Sequence, residues 1–169
     1  EVENEIEAHV LENCQGLSLC TGPDVGRVTR RDGALDDYVD YLAKAIDADL
    51  SGLRVAVDCA NGAASQVAKA LFPRLGADCT FIGAEPDGCN INLDCGSTHL
   101  DKLDKFVVEG GYDCGIAFDG DADRCLAVDE KGAEIDGDKI IALLSLDLKE
   151  QGLLNEDTGV VTVMSNLGF

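Results

Sequence analysis

Tryptophan is missing from this sequence, and five Phe and three Tyr are the only large apolar rings in 169 residues. A core built on stacked rings is therefore excluded. Burial has to come from the aliphatic part of a composition that is 46% hydrophobic, enough for one domain and too apolar for long disorder. Basic residues are also scarce, with 13 Lys and Arg against 33 Asp and Glu and a formal net charge of −20. That balance argues against nucleic acid, whose phosphates call for Lys and Arg. It argues equally against an anionic membrane surface. It favours solubility and predicts a benefit from salt, since screening relieves self-repulsion. A high-salt cytoplasm would account for such an excess.

No apolar run approaches the roughly 20 residues of a membrane span, and no stretch has the pattern of a signal h-region. CxxC is absent among the eight cysteines, and His9 and His99 have no paired thiolates near them, which disfavours a zinc cluster. Cys59, Cys79, Cys114 and Cys125 sit in or beside apolar, strand-like runs, where a reduced thiol packs as a small hydrophobe. The cysteines read as reduced and intracellular rather than as a disulfide framework. GxGxxG, GxxxxGK[ST] and GxSxG are all missing, so dinucleotide, P-loop and serine-hydrolase readings find no support.

What is present is an alternating α/β pattern. Val2, Ile6, Val10 and Leu11 have helical spacing, as do Leu35, Tyr38, Val39, Leu42 and Ile46, with Asp32 or Asp36 as a candidate cap. Between these two helices lies a turn-rich stretch holding Arg27, Arg30 and Arg31. Residues 53–59 read as a buried strand, a helix runs from about 63 with Pro73 near its end and Gly76 after it, and 78–83 reads as a second strand, a βαβ unit with a parallel pair. A long polar loop, 84–99, precedes a helix at Leu100, Leu103, Phe106 and Val107, and a strand over 112–118. A hairpin (124–129, then 133–135), a helix from Asp136 and a strand in "GVVTVMS" complete the pattern. The fold class expected is α/β, with a mixed, largely parallel sheet flanked by helices. Boundaries fall near 51 and 136. The first residue is not Met and both ends cut into patterned segments, so an excerpt of a longer chain is expected.

In "GIAFDGDADRCLAVD", Asp119, Asp121 and Asp123 place three carboxylates within five positions. Alternate residues of a turning loop can point the same way, and Gly120 and Ala122 are small enough for the turn to be tight. Three hard oxygen ligands suit Mg²⁺, with Mn²⁺ or Ca²⁺ as alternatives. Without a cation the group would raise its pKa values or splay into water. A solvated acidic turn is the bland account. The loop follows a strand, and open α/β sheets bind ligands beyond the carboxyl ends of their strands. An EF-hand spacing is met by Asp119, Asp121, Asp123 and Glu130, but Arg124 stands where glycine is required and the flanks read as strands. Arg124 can hold the loop or grip a phosphate, and both roles stay open. Asn61, in "DCANGAA", reads as a helix cap, with a phosphate-cradling turn as the alternative. Asp136 and Asp138 read as capping or loop support. Neither histidine is expected to be catalytic. A metal-stabilised module without chemistry remains the competing class.

These blocks resemble the alpha-D-phosphohexomutase superfamily from about residue 26 onward. "GIAFDGDADR" is similar to its metal loop, with Ala122 where the usual pattern has glycine. "GAEPDGCNINLDCGSTH" is most similar to the phosphoglucosamine mutase branch, and "VDCANGAA", "IDGDK" and "VMSNLGF" fall in family order. The resemblance implies a second-domain type of fold within a four-domain enzyme. Residues 1–51 would be the tail of the first domain with a linker helix, 52–135 the complete second domain, and 136–169 the start of the third. Asp119, Asp121 and Asp123 would bind one Mg²⁺ per chain, or Mn²⁺, and Arg124 would sit near the reacting phosphate. The implied reaction converts glucosamine 6-phosphate and glucosamine 1-phosphate through a phosphoserine and a bisphosphate. Phosphomannomutase and phosphoglucomutase are the rival activities. The family's serine, sugar and phosphate loops do not occur in this chain, so these residues alone are expected to be inactive. The implied partners are a hexosamine phosphate and the remaining domains of the same protein, in the cytoplasm, with no nucleic acid and no membrane.

Overall fold

A computed structural model describes residues 1–12, 18, 20–46 and 48–155. The strand expected in "GVVTVMS" lies outside these residues, as does Cys14. The chain forms two compact units, Glu1–Asp32 and a larger one from Gly33. In the first, α1 (Val2–Leu11) is followed by a short 3₁₀ turn at Gly22–Asp24. Val2, Ile6, Val10 and Leu11 have the expected helical spacing but bury nothing.

The larger unit runs α2 (Ala34–Ala45), β1 (Arg54–Asp58), α3 (Ala64–Arg74), β2 (Asp78–Ile82), α4 (Asp101–Gly110), β3 (Cys114–Phe118), β4 (Cys125–Asp129), β5 (Glu134–Ile135) and α5 (Gly137–Glu150). The sheet order is β2-β1-β3-β4-β5. β1 pairs parallel with both β2 and β3, while β3–β4 and β4–β5 are antiparallel. This is the mixed α/β sheet flanked by helices that the sequence pattern predicts.

β1 is central to the parallel part, and both of its faces are covered. Val55 and Val57 point to one side, into a cluster with Ala64 and Ala68 of α3. Ala56 points to the other, with Leu103 and Val107 of α4, Ala117 of β3 and Val128 of β4. A strand buried on both faces reads as a continuous apolar run, which is why "RVAV" was legible as a core strand. α2 lies against α3, and Asp40 of α2 pairs with Arg74 of α3. Arg54 closes the amino edge of the sheet. Its guanidinium lies 4.9 Å over the Tyr112 ring, and Nη1 donates to the carbonyls of Gly110 and Gly111 at 3.1 and 2.7 Å. The opposite edge, at the carboxyl ends of β1, β2 and β3, is left to loops.

The helix caps differ in part from expectation. Neither Asp32 nor Asp36 caps α2. Gly33 occupies the cap position with no side-chain bond, and Asp36 falls inside the first turn, where its carboxylate meets the helix dipole instead. α2 ends at Ala45, with Ile46, the last of the helically spaced residues, at its carboxyl cap. Asp136 caps α5 as expected, with its carboxylate accepting from the Lys139 amide at 3.0 Å. No helix among the described residues is long and apolar enough to cross a membrane.

Candidate metal centre

Three loops meet at the carboxyl edge. The first, 59–63, joins β1 to α3. The second, 83–100, joins β2 to α4. The third, 119–124, is the connection of the β3–β4 hairpin, whose last register pair is Phe118 with Cys125.

The first loop turns through two left-handed residues, Ala60 (φ 53°) and Asn61 (φ 48°). Asparagine tolerates that region better than most residues. The expected cap role of Asn61 is not what the structure has: α3 starts at Ala64, with Ala63 at its cap and no side-chain cap bond. Asn61 lies too early and its amide faces the second loop. Its Nδ2 donates to the Asn90 carbonyl at 3.3 Å and its Oδ1 accepts from the Glu85 amide at 3.1 Å. The second loop is ordered by more of the same chemistry. Asp87 accepts from the Cys89 amide at 2.8 Å, and Asn90 accepts from the Asp87 amide at 3.0 Å while donating to the Glu85 carbonyl at 2.9 Å. Short polar side chains bonding nearby backbone are what let so long a loop hold one shape.

The third loop is pressed between the other two. The Gly120 carbonyl accepts from the Ala63 amide at 2.9 Å. A Cβ on Gly62 would lie 2.2 Å from that carbonyl oxygen, and one on Gly120 would lie 2.7 Å from Asn92 Nδ2 and from Ile91. Only residues without a side chain allow this approach. Within the loop, the Ala122 amide donates to the Asp119 carbonyl at 3.1 Å, and Ala122 sits at φ 62°. This is the position where the family pattern has glycine, and the left-handed backbone gives the reason for that preference.

The structure brings Asp119, Asp121 and Asp123 together. Each offers a carboxylate oxygen, and these oxygens all lie within 4.8 Å of one another. Asp119 is 1% exposed, whereas Asp121 and Asp123 face solvent. Arg124 grips Asp119 twice, its amide to Oδ1 at 3.0 Å and its Nε to Oδ2 at 2.6 Å, and lies 3.7 Å from Asp123 Oδ1. The Arg124 side chain is 65% exposed, so the rest of its guanidinium remains open to solvent. Burial pushes the Asp119 carboxyl up, but the Arg124 amide, guanidinium and charge outweigh it and hold the group at about 2. The charge of Asp121, and then that of Asp119, pushes Asp123 the other way. Asp119 is thus held ionised by Arg124, while the like charges of its neighbours oppose the charge on Asp123. This all-oxygen trio could hold a divalent metal ion.

The other expected residues lie elsewhere. His9 is in the last turn of α1, and His99 is exposed in the second loop. The seven described cysteines are free thiols. Burial, and then the charge of Asp58, pushes the Cys59 thiol up to about 11, so it stays protonated and unreactive at neutral pH. A cavity of about 440 Å³ between α2 and α3 opens beside Asp121 and Ala122, but its lining of Tyr38, Leu42, Leu71 and Phe72 is apolar and holds no basic group. Sequence reasoning overlooked Asp58, wholly buried at the end of β1. The signal was there: "RVAVD" and "CGIAFD" each end an apolar strand on an aspartate.

A mixed α/β sheet carrying an acidic, metal-competent hairpin loop at its carboxyl edge defines a class of ligand-binding α/β domain. Comparison with known proteins narrows the class. Residues 36–132 match the family model for phosphoglucomutase/phosphomannomutase, alpha/beta/alpha domain II, and the chain belongs to that family. It is 55% identical to the phosphoglucosamine mutase of Acetivibrio thermocellus over 99% of this chain and 37% of that protein. It is 53% identical to the phosphoglucosamine mutase of Streptomyces coelicolor over 100% of this chain and 38% of that protein. The chain therefore spans less than two fifths of the length of these curated relatives. Among solved structures, a phosphoglucomutase/phosphomannomutase family protein of Burkholderia thailandensis aligns over 70% of this chain and 26% of its own, with a TM-score of 0.62 and 27% identity.

Two outcomes follow from the loop geometry. Replacing Ala122 by Gly relieves a left-handed alanine and should raise stability by about 1 kcal/mol, read as a higher denaturant midpoint. Asp119 sits below its ordinary 3.8 in the fold, so its contribution to stability is complete above about 4 and drains away as pH falls towards 2. Replacing Arg124 by Met should shrink that acid-limb loss, measured as the difference in thermal midpoint between pH 5 and pH 2.5.

Proposed function

We propose that this chain is the metal-binding portion of a phosphosugar mutase that interconverts glucosamine 6-phosphate and glucosamine 1-phosphate. The observation that carries the proposal is the convergence of Asp119, Asp121 and Asp123 at the carboxyl edge of a sheet whose closely similar relatives are phosphoglucosamine mutases. In this reading the three carboxylates hold one Mg²⁺, which Mn²⁺ can replace. The ion, when bound, draws charge from a phosphoryl group and so eases its transfer. Asp119 is the anchored ligand, kept ionised and oriented by Arg124, while Asp121 and Asp123 complete the site from the solvent side. The free nitrogens of Arg124 are available to a phosphate oxygen. A phosphoserine of the longer enzyme gives its phosphoryl group to the sugar, and the other phosphate of the resulting bisphosphate returns to the serine. Most of that chemistry is positioning and electrostatics, and the metal loop supplies part of both.

Residues 1–51 belong, in this proposal, to the first domain and its linker, 52–135 to the second domain and 136–169 to the third. The substrate is a hexosamine phosphate bound between domains, and the remaining domains are the chain's partners. Free thiols and a net charge of −20 support a reducing, cytoplasmic setting away from membranes and nucleic acid. A second reading, phosphomannomutase or phosphoglucomutase, is favoured by the description of the matching family model and by the Burkholderia structure.

An assay of the complete enzyme with glucosamine 6-phosphate, mannose 6-phosphate and glucose 6-phosphate side by side separates these readings. Fastest turnover of the glucosamine ester is expected, and a preference for either neutral sugar would transfer the assignment to that activity. The 169 residues alone should show no turnover, since the family's serine loop is not among them. In the complete enzyme, Asp121→Asn should lower kcat by about 10²-fold or more, on the scale of losing one electrostatic stabiliser, with the fold intact by circular dichroism. A non-catalytic, metal-stabilised module would instead lose its fold when the metal is chelated.

A further inference from the structure

Asp58 takes no part in the chemistry above, yet it is completely buried, and a buried carboxylate has to be satisfied. Each of its oxygens serves a different loop. Oδ1 accepts from the Ala60 amide at 2.9 Å, and Oδ2 accepts from the Gly96 amide at 2.8 Å. The two loops tied in this way then hold the backbone on either side of Asp119. From the first loop, the Ala63 amide donates to the Gly120 carbonyl at 2.9 Å. From the second, the Ser97 amide donates to the Phe118 carbonyl at 2.9 Å. The two loops are also joined directly, through the Asn92 amide to the Ala60 carbonyl at 2.9 Å.

The left-handed residues tell the same story. Every described non-glycine residue with positive φ lies in these three loops: Ala60, Asn61, Asn92, Asp94 and Ala122. Such conformations persist where the surroundings over-determine them. Here the surroundings include one carboxylate bonded to two loops at once.

We propose that Asp58 is the positioning residue of the metal centre. Its carboxylate fixes the spacing between the 59–63 and 83–100 loops, and those loops fix the peptides flanking Asp119. The inference rests on the reading of Asp119, Asp121 and Asp123 as metal ligands. It assigns to Asp58 a part in metal affinity, beyond a contribution to the stability of the fold. Outer partners that orient metal ligands commonly change affinity by about 10- to 100-fold when removed. Asp58→Asn keeps the shape but turns an NH₂ group towards one of the two amides, so one tie is lost. Asp58→Glu keeps the charge but moves the oxygens by a methylene, and should fail to restore the site.

The test is Mn²⁺ binding to the complete enzyme and its variants, followed by the loss of the free-ion signal in electron paramagnetic resonance, with circular dichroism as the check on folding. Asp121→Asn serves as the control for loss of a ligand. Folded Asp58→Asn should bind Mn²⁺ at least tenfold more weakly than the parent chain, and Asp58→Glu should resemble it. A purely structural role would lower the thermal midpoint and leave Mn²⁺ affinity within twofold, and that result would overturn the proposal. If Asp58→Asn does not fold, Gly83→Ala decides. A Cβ there would stand 2.5 Å from Asp58 Oδ1 and displace the carboxylate without altering its charge. A fivefold or larger loss of affinity in that variant supports the proposal, and a smaller one overturns it. A parent chain that binds no Mn²⁺ at all defeats the metal reading itself and this inference with it, whereas a parent that binds and an indifferent Asp58 defeat the inference alone.

Discussion

Parallel pairing of β1 with both of its neighbours is the constraint from which the rest of this structure follows. Three strands running the same way must release their chains at the same edge. The loops after β1, β2 and β3 are therefore neighbours although residues 64–118 separate the first from the last. Such loops lie far apart in the sequence, so their contacts have to be made by groups that reach across: Asn61 to the 83–100 loop, Ser97 to Phe118, Ala63 to Gly120. The helices α3 and α4 seal the two faces of the sheet and leave this edge exposed.

At that edge the chain accepts an electrostatic conflict. It carries 20 more negative than positive charges, and yet it draws three carboxylates together rather than spreading them over the surface. Arg124 resolves the conflict mainly for Asp119, the buried member, through two hydrogen bonds and its charge, and reaches Asp123 only as an ion pair at 3.7 Å. Asp121 and Asp123 are left in solvent and in mutual repulsion, which raises the pKa of Asp123. A loop built in this way has one buried carboxylate, held ionised by Arg124, and two that face solvent.

Aspartate has a repeated task in this fold. β1, β3 and β4 are each ended or followed by one: Asp58 accepts from Ala60, Asp119 from Arg124, and Asp129 from the Lys131 and Ala133 amides at 2.9 and 2.8 Å. In each case a short carboxylate satisfies amides that the ladder no longer serves. The hairpin turn, the metal loop and the loop clamp are three uses of one local device. Part of the large acidic excess is therefore accounted for by turns rather than by surface charge.

Much of the fold was legible because the relevant signals are local. "RVAVD" and "CGIAF" declare strands by their apolar runs, Leu103, Phe106 and Val107 declare one face of α4, and the spacing of Asp119, Asp121 and Asp123 marks a cluster of acids that could hold a metal. The caps were less legible. Asp36 and Asn61 were each within a few residues of a helix start, and position relative to the first turn, which decides capping, depends on where packing sets that turn. By itself the sequence determined the alternation of elements, the family and the identity of the acids, since each rests on residues close together along the chain. Tertiary structure alone decided that Asp58 would serve two loops, that Asn61 would bond the 83–100 loop instead of capping α3, and that Gly62 and Gly120 would touch. Those facts depend on which strand ends become neighbours, and no local pattern carries that information.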